Sequence, residues 1–166
     1  MNNSKDNKKQ SDIVKIEDLL KREVWFSKIS FNYDKAKSML KENSDEEGIF
    51  FNMPLQISVN WGLGGRKQDG KGIIIGCNFA IKSEIFDINV LVETRMEFRK
   101  VIIDEQLYKD CFFQILAAKI YFPYIVELVA ANTSRMDCHI SPIILENELL
   151  EVVLKETVKK GPLQKP

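Results

Sequence analysis

Histidine is almost absent, cysteine is scarce and neither sign of charge predominates. The 166 residues hold one histidine, His139, and three cysteines, Cys77, Cys111 and Cys138, while 24 basic side chains balance 24 acidic ones. A serine hydrolase needs a histidine to activate its nucleophile, and no Gly-x-Ser-x-Gly elbow is present to expose one. Cys138 and His139 are adjacent, but no second pair stands at ligand spacing, and structural zinc takes four N or S donors. No metal, no cofactor and no catalytic residue is therefore expected. An odd set of widely spaced cysteines fits buried thiols in a reducing compartment. The charge balance removes the surplus of Lys and Arg that drives binding to nucleic acid or anionic lipid. Lys5, Lys8 and Lys9 have no apolar run behind them, so no signal peptide is read there and a cytoplasmic location is expected.

Glycine is sparse and concentrated. Five of the eight lie between Gly62 and Gly72. The run Gly62-Leu63-Gly64-Gly65-Arg66-Lys67 lacks the Gly-Lys-Ser/Thr ending of a phosphate loop and leads into a strand pattern, so it reads as a hairpin. Residues 1–12 are polar and read as a tail, residues 13–160 as one domain, and residues 161–166, with two prolines and a glycine, as a second tail.

Between Val24 and Ile102 the apolar period is two. Trp25, Ile29, Phe31 and Tyr33 form one expected inner row; Leu55, Ile57, Val59 and Trp61 a second; Ile73, Ile75, Cys77, Phe79 and Ile81 a third; Phe86, Ile88, Val90, Val92, Met96 and Phe98 a fourth. Four such strands make an antiparallel sheet with one apolar face. The connection from Asp34 to Met53 is long, runs through a charged stretch and ends in the apolar cluster Phe50, Phe51 and Met53. Long connections of this kind often carry function.

After Asp104 the period becomes helical. From Cys111 to Ala131 only Gln114, Lys119, Pro123 and Glu127 fall outside the apolar set, so this helix needs cover on several sides. A bilayer would place Lys119 and Glu127 in hydrocarbon at about 2.5–3.5 kcal/mol each. Burial against other copies of the chain is the better expectation, with a kink at Pro123. A final amphipathic helix carries Leu145, Leu149, Leu150, Val153 and Leu154.

Phe122-Pro123-Tyr124 with Glu127, Ser134-Arg135 and Pro142-Ile143, together with Lys28-Ile29-Ser30-Phe31 upstream, resembles the signature of the SecB family of bacterial protein-export chaperones. The resemblance spans residues 13 to about 155 in its order of elements. It implies an α+β protomer, a four-stranded antiparallel sheet followed by a long kinked helix and a shorter C-terminal one, assembling as a dimer of dimers. It further implies an ATP-independent holdase that binds unfolded polypeptides in an apolar groove, for export or for a dedicated client such as an antitoxin.

Mapped onto this chain, that groove would be lined by Phe50, Phe51, Met53, Leu55, Trp61, Leu145 and Leu149. Ile115, Phe122, Pro123, Tyr124 and Ile125 are the expected contacts between copies. Leu91 and Glu93 match two positions at which the family docks the SecA motor. The first-strand positions that are acidic in the family are Lys28 and Asn32 here, which removes most of the attraction for a basic SecA tail. A structural or adaptor module that binds one folded partner is the alternative from a different class.

Overall fold

The computed structural model describes residues 13–34, 56–83, 86–134 and 149–164. A 3-10 turn, Ile16–Asp18, leads into strand β1 (Leu19–Tyr33). Strands β2 (Gln56–Arg66), β3 (Gly72–Lys82) and β4 (Phe86–Phe98) follow, then helices α1 (Asp104–Lys109), α2 (Phe112–Ser134) and α3 (Leu150–Lys160). The sheet is antiparallel with the order β1-β4-β3-β2. The chain is thus an α+β unit with helices packed on one face of the sheet.

β2 and β3 form the glycine-flanked hairpin. The Lys67 N–H donates to the Gly72 carbonyl at 2.9 Å, and Gly70 turns the chain at φ 69°, where a side chain would be strained. Arg66 ties this hairpin to α1, pairing with Asp104 at 2.5 Å and donating to the Ile102 carbonyl.

Three of the four inner rows lie where the period of two places them. Ile73, Ile75, Cys77, Phe79 and Ile81 of β3 are buried opposite Met96, Thr94, Val92, Val90 and Ile88 of β4, with Val59 of β2 beside them. Tyr121, Phe122, Ile125, Val126 and Val129 of α2 close over one half of this surface, and Phe113, Leu116, Ala117 and Ile120 over the other. At about 1.5–3 kcal/mol for each large apolar side chain removed from water, this two-layer burial is the main stabilising term.

The first row departs from expectation. A register shift between Phe26 and Lys28 inserts an extra residue into β1, so Val24 and Phe26 point to the core while Trp25 pairs with Glu93 on the outer face. A one-residue slip reverses every side chain beyond it. Ile29, opposite Val90, returns to the inner side but stays 46% exposed at the edge of the sheet.

Two further expectations meet a different arrangement. Phe122 and Ile125, expected between copies, are 1% and 0% exposed, so their side chains are already covered by the chain's own core. α2 turns its apolar side chains to the sheet and α3, and leaves Lys119, Pro123, Tyr124 and Glu127 outside, with Ile115 half-buried. The helix continues through Pro123, whose missing donor falls on this wet side. Among the described residues α2 alone has the length and composition to cross a membrane, and it serves here as a core helix. Residues 161–164 also belong to the folded unit, because Leu163 is buried against the cluster around Phe113 and Leu116.

Candidate functional site

β2 is an edge strand, and α3 lies along it and against α2. Trp61 is the junction. Its indole Nε1 donates to Thr157 Oγ1 of α3 at 3.2 Å, and its ring tilts against Tyr121 of α2 with centroids 6.0 Å apart. Thr157 in turn donates to the Val153 carbonyl at 2.7 Å, which satisfies a fully buried hydroxyl. Leu149 is buried at the start of α3 beside Val153, and Leu150 and Leu154 pack half-buried on the same cluster.

Below this junction Cys77 Sγ and Tyr121 Oη lie 3.4 Å apart. Burial pushes the Cys77 thiol up to about 12 and the Tyr121 phenol well above its ordinary value, so both stay neutral and serve packing. Among the described residues no three His, Cys, Asp or Glu side chains converge as a metal site.

The ends of β1 and β2 share one end of the sheet. Tyr33 pairs with Phe86, Gln56 pairs with Lys82, and Lys82 pairs with Asp87, so the connection between the two strands joins opposite edges at that end. The apolar side chains there are incompletely covered: Phe31, stacked on Phe86 at 6.1 Å, with Tyr33, Ile57, Leu128, Leu150 and Leu154, all half-buried. Of the expected groove residues, Trp61 and Leu149 meet around α3; Phe50, Phe51, Met53, Leu55 and Leu145 lie outside the described residues.

The outer face has a different character. Leu91, opposite Lys28, is 39% exposed. Glu93 is taken up locally, its Oε2 accepting from Trp25 Nε1 at 2.5 Å and from Ser27 Oγ at 2.9 Å. Glu23 pairs with Lys21 and Arg95, and Glu97 with Lys67 and Arg95. Hydrogen bonds from Lys21 and from Lys67 are the leading reasons that these two carboxyls titrate below their ordinary value. Three carboxylates of this face are therefore already occupied by neighbours.

The sequence reading missed Thr157 and Gln114 as organising residues. Each was visible only as a polar interruption, Thr157 four residues beyond Val153 on an apolar helix face and Gln114 inside the apolar helix.

No protein-family model matches the chain, and no curated protein does. Among solved structures, the Rv1957 SecB-like chaperone of Mycobacterium tuberculosis, solved in complex with a ChAD peptide from the Rv1956 HigA1 antitoxin, superposes with a TM-score of 0.54. The match covers 73% of this chain and 84% of that one at 8% identity. The fold is SecB-like. A protein of unknown function from Streptococcus agalactiae also superposes, at TM-score 0.39 and 14% identity over 89% of this chain and 98% of that one. The SecB-like order of sheet and helices places α3 over edge strand β2, with the half-buried apolar rim at the end where β1 and β2 are joined.

Proposed function

We propose that this chain is an ATP-independent holdase that captures non-native polypeptide on the apolar rim around β2 and α3. The supporting observation is the SecB-like fold, shared with a chaperone solved with a peptide of an antitoxin, carrying half-buried Phe31, Tyr33, Ile57, Leu128, Leu150 and Leu154 at one end of the sheet. Flexible apolar side chains in several shallow seats bind many sequences weakly and one fitted sequence well. Phe50, Phe51, Met53 and Leu55 belong to the connection that must reach this end of the sheet, and Leu145 to the approach to α3, so they complete the surface in our reading. A dedicated client, of the antitoxin kind, is favoured over SecA-linked export, because Glu93 and its neighbours are already paired on the outer face. The pairing of Glu93 weakens its case as a SecA contact and leaves the exposed Leu91 without an acidic partner beside it in this reading.

Copies of the chain assemble through two surfaces in this reading, the edge of β1, which has no second strand beside it among the described residues, and the strip of Ile115, Pro123 and Tyr124 on α2. Two distinct self-complementary surfaces give a dimer of dimers. The adaptor alternative has one observation in its favour, the exposed pair Trp25 and Leu91 on the outer face.

Aggregation of a chemically denatured, slow-folding enzyme, followed by light scattering without ATP, separates the readings. Stoichiometric wild-type chain should suppress it, and the Phe50→Ser, Phe51→Ser double variant should lose most of the effect. Wild-type chain that leaves aggregation untouched refutes the holdase and leaves the adaptor; full suppression by the double variant refutes the assignment of the groove.

A further inference from the structure

Two glutamines grip main chain on this molecule, one completely and one by half. Gln106 of α1, buried, holds Val14 with both ends of its amide: the Val14 N–H donates to Oε1 at 2.9 Å, and Nε2 donates to the Val14 carbonyl at 2.7 Å. Gln114 of α2 is 1% exposed and donates from Nε2 to the Gly161 carbonyl at 3.1 Å, yet its Oε1 accepts nothing. The segment it holds explains the missing half. The Gly161 N–H is committed to the end of α3, donating to the Thr157 and Val158 carbonyls at 3.2 Å each, and the next residue is Pro162, which has no N–H. A buried acceptor without a donor is costly and seldom tolerated in a finished interior.

The same segment fits its bed loosely. Leu163 is its one buried side chain, while Pro162 and Gln164 are exposed. Between the segment and β2 lies a cavity of about 250 Å³, lined by Asn60, Trp61, Leu63, Gln114, Lys160 and Leu163 among others. Lys160 Nζ stands 3.5 Å from Asn60 Oδ1, at the limit of a hydrogen bond, so its charge is barely engaged there.

We propose that Gln114 is a main-chain clamp for an extended peptide and that residues 161–164 are its displaceable occupant. An extended residue presents its N–H and C=O to both ends of a glutamine amide, as Val14 does to Gln106. The peptide's apolar side chain takes the seat of Leu163, and an acidic residue beside it answers Lys160. The inference rests on the holdase reading and specifies its ligand: an extended segment with an apolar anchor next to a carboxylate.

The test uses the full chain and a fluorescein-labelled ten-residue peptide in which valine and leucine alternate with serine and glutamate, followed by anisotropy, with thermal melts as a check on folding. Leu163→Ser frees the seat and should tighten binding about tenfold. Adding Gln114→Met, which keeps the volume and removes the amide, should weaken that binding about three- to tenfold. Gly161→Ala strains the turn at φ 81° without a clash and should shift binding in the same direction as Leu163→Ser, which covers the case of a Leu163→Ser chain that does not fold. Wild-type binding that neither release variant tightens, or a Leu163→Ser affinity indifferent to Gln114→Met, overturns the clamp and leaves the holdase standing. Absence of peptide binding in every variant, together with no suppression of aggregation, overturns both.

Discussion

The hold of α3 on the sheet is concentrated at Trp61, and Trp61→Phe measures it. The substitution removes one hydrogen bond, Nε1 to Thr157 Oγ1 at 3.2 Å, and trims the ring that leans on Tyr121. The bond contributes about 0.5–1.5 kcal/mol net, and the smaller ring in a half-buried site costs on the order of 1 kcal/mol more. A total of about 1.5–2.5 kcal/mol is expected from urea melts followed by far-UV circular dichroism. Thr157→Val is the partner for a double-mutant cycle, since the Thr157 hydroxyl otherwise donates only to a carbonyl within its own helix. The coupling energy isolates the bond and should fall at about 0.5–1.5 kcal/mol. Because the loss falls on the α3 junction, amide exchange across residues 150–160 should quicken about ten- to seventyfold in Trp61→Phe, well before the amides of β3 and β4 respond. A coupling below about 0.3 kcal/mol, or uniform acceleration across sheet and helix, would refute the view that α3 is held by this contact and can lift independently.

Alkaline pH supplies a second test. Cys77 titrates at an ordinary value of 9.0 when unfolded and near about 12 in the folded chain, so its contribution is intact below pH 9 and is lost as pH rises toward 12. With a limiting slope of about 1.4 kcal/mol per pH unit, reached only above pH 9, stability should fall by about 2 kcal/mol between pH 9 and 11 from this group, and Cys77→Ala should show a shallower slope over that window; equal slopes would remove burial of the thiol as the cause. A third prediction concerns assembly: Ile29→Lys, on an exposed edge position, should lower the solution mass measured by light scattering while moving the melting midpoint by little. A wild-type chain of protomer mass, or an unchanged mass in the variant, would sink the proposed β1 contact.

Most of the sheet was legible because its inner side chains repeat every second residue and one face is dry. Ile73 to Ile81 and Phe86 to Phe98 needed nothing more. β1 misled because the inserted residue at Ser27 carries no marker: neither glycine nor proline accompanies it, so the parity of Trp25 was read from the wrong side. The strand order was also out of reach, since alternation says which face a residue occupies and nothing about its lateral neighbour. For α2, an apolar count without phase led to Phe122 and Ile125 being assigned to an interface. The signal was present in the exceptions: Lys119, Pro123 and Glu127 recur every four residues and trace the exposed strip. The proline and glycine after Lys160 marked the end of a helix correctly, but a helix end is not the end of a core, and one leucine beyond it was enough to return the chain to the sheet.

The two edges of the sheet are unequal, and in the proposed reading that inequality separates self-assembly from client binding. β2 is shadowed by α3, by residues 161–164 and by the Trp61 junction, so a second sheet cannot approach it without lifting these elements; a single extended peptide needs far less room. Among the described residues β1 has only β4 beside it and offers a 15-residue flank. Its first half carries Lys21, Arg22 and Glu23, and an antiparallel pairing of two copies centred there would set Arg22 against Arg22, an unfavourable contact in a sheet. Beyond the irregularity at Ser27 one charge remains, Lys28, followed by the neutral run Ile29, Ser30, Phe31, Asn32 and Tyr33, and a pairing centred on Ser30 sets Lys28 against Asn32 rather than against another lysine. A twofold contact centred on Ser30 would place neutral Ser30 against itself and Ile29 against Phe31, joining the inner faces of two sheets side by side. In such a dimer the charges on the first half would act as a guard that fixes the register, and the β2 edge of each copy, with its proposed clamp, would be directed away from the joint.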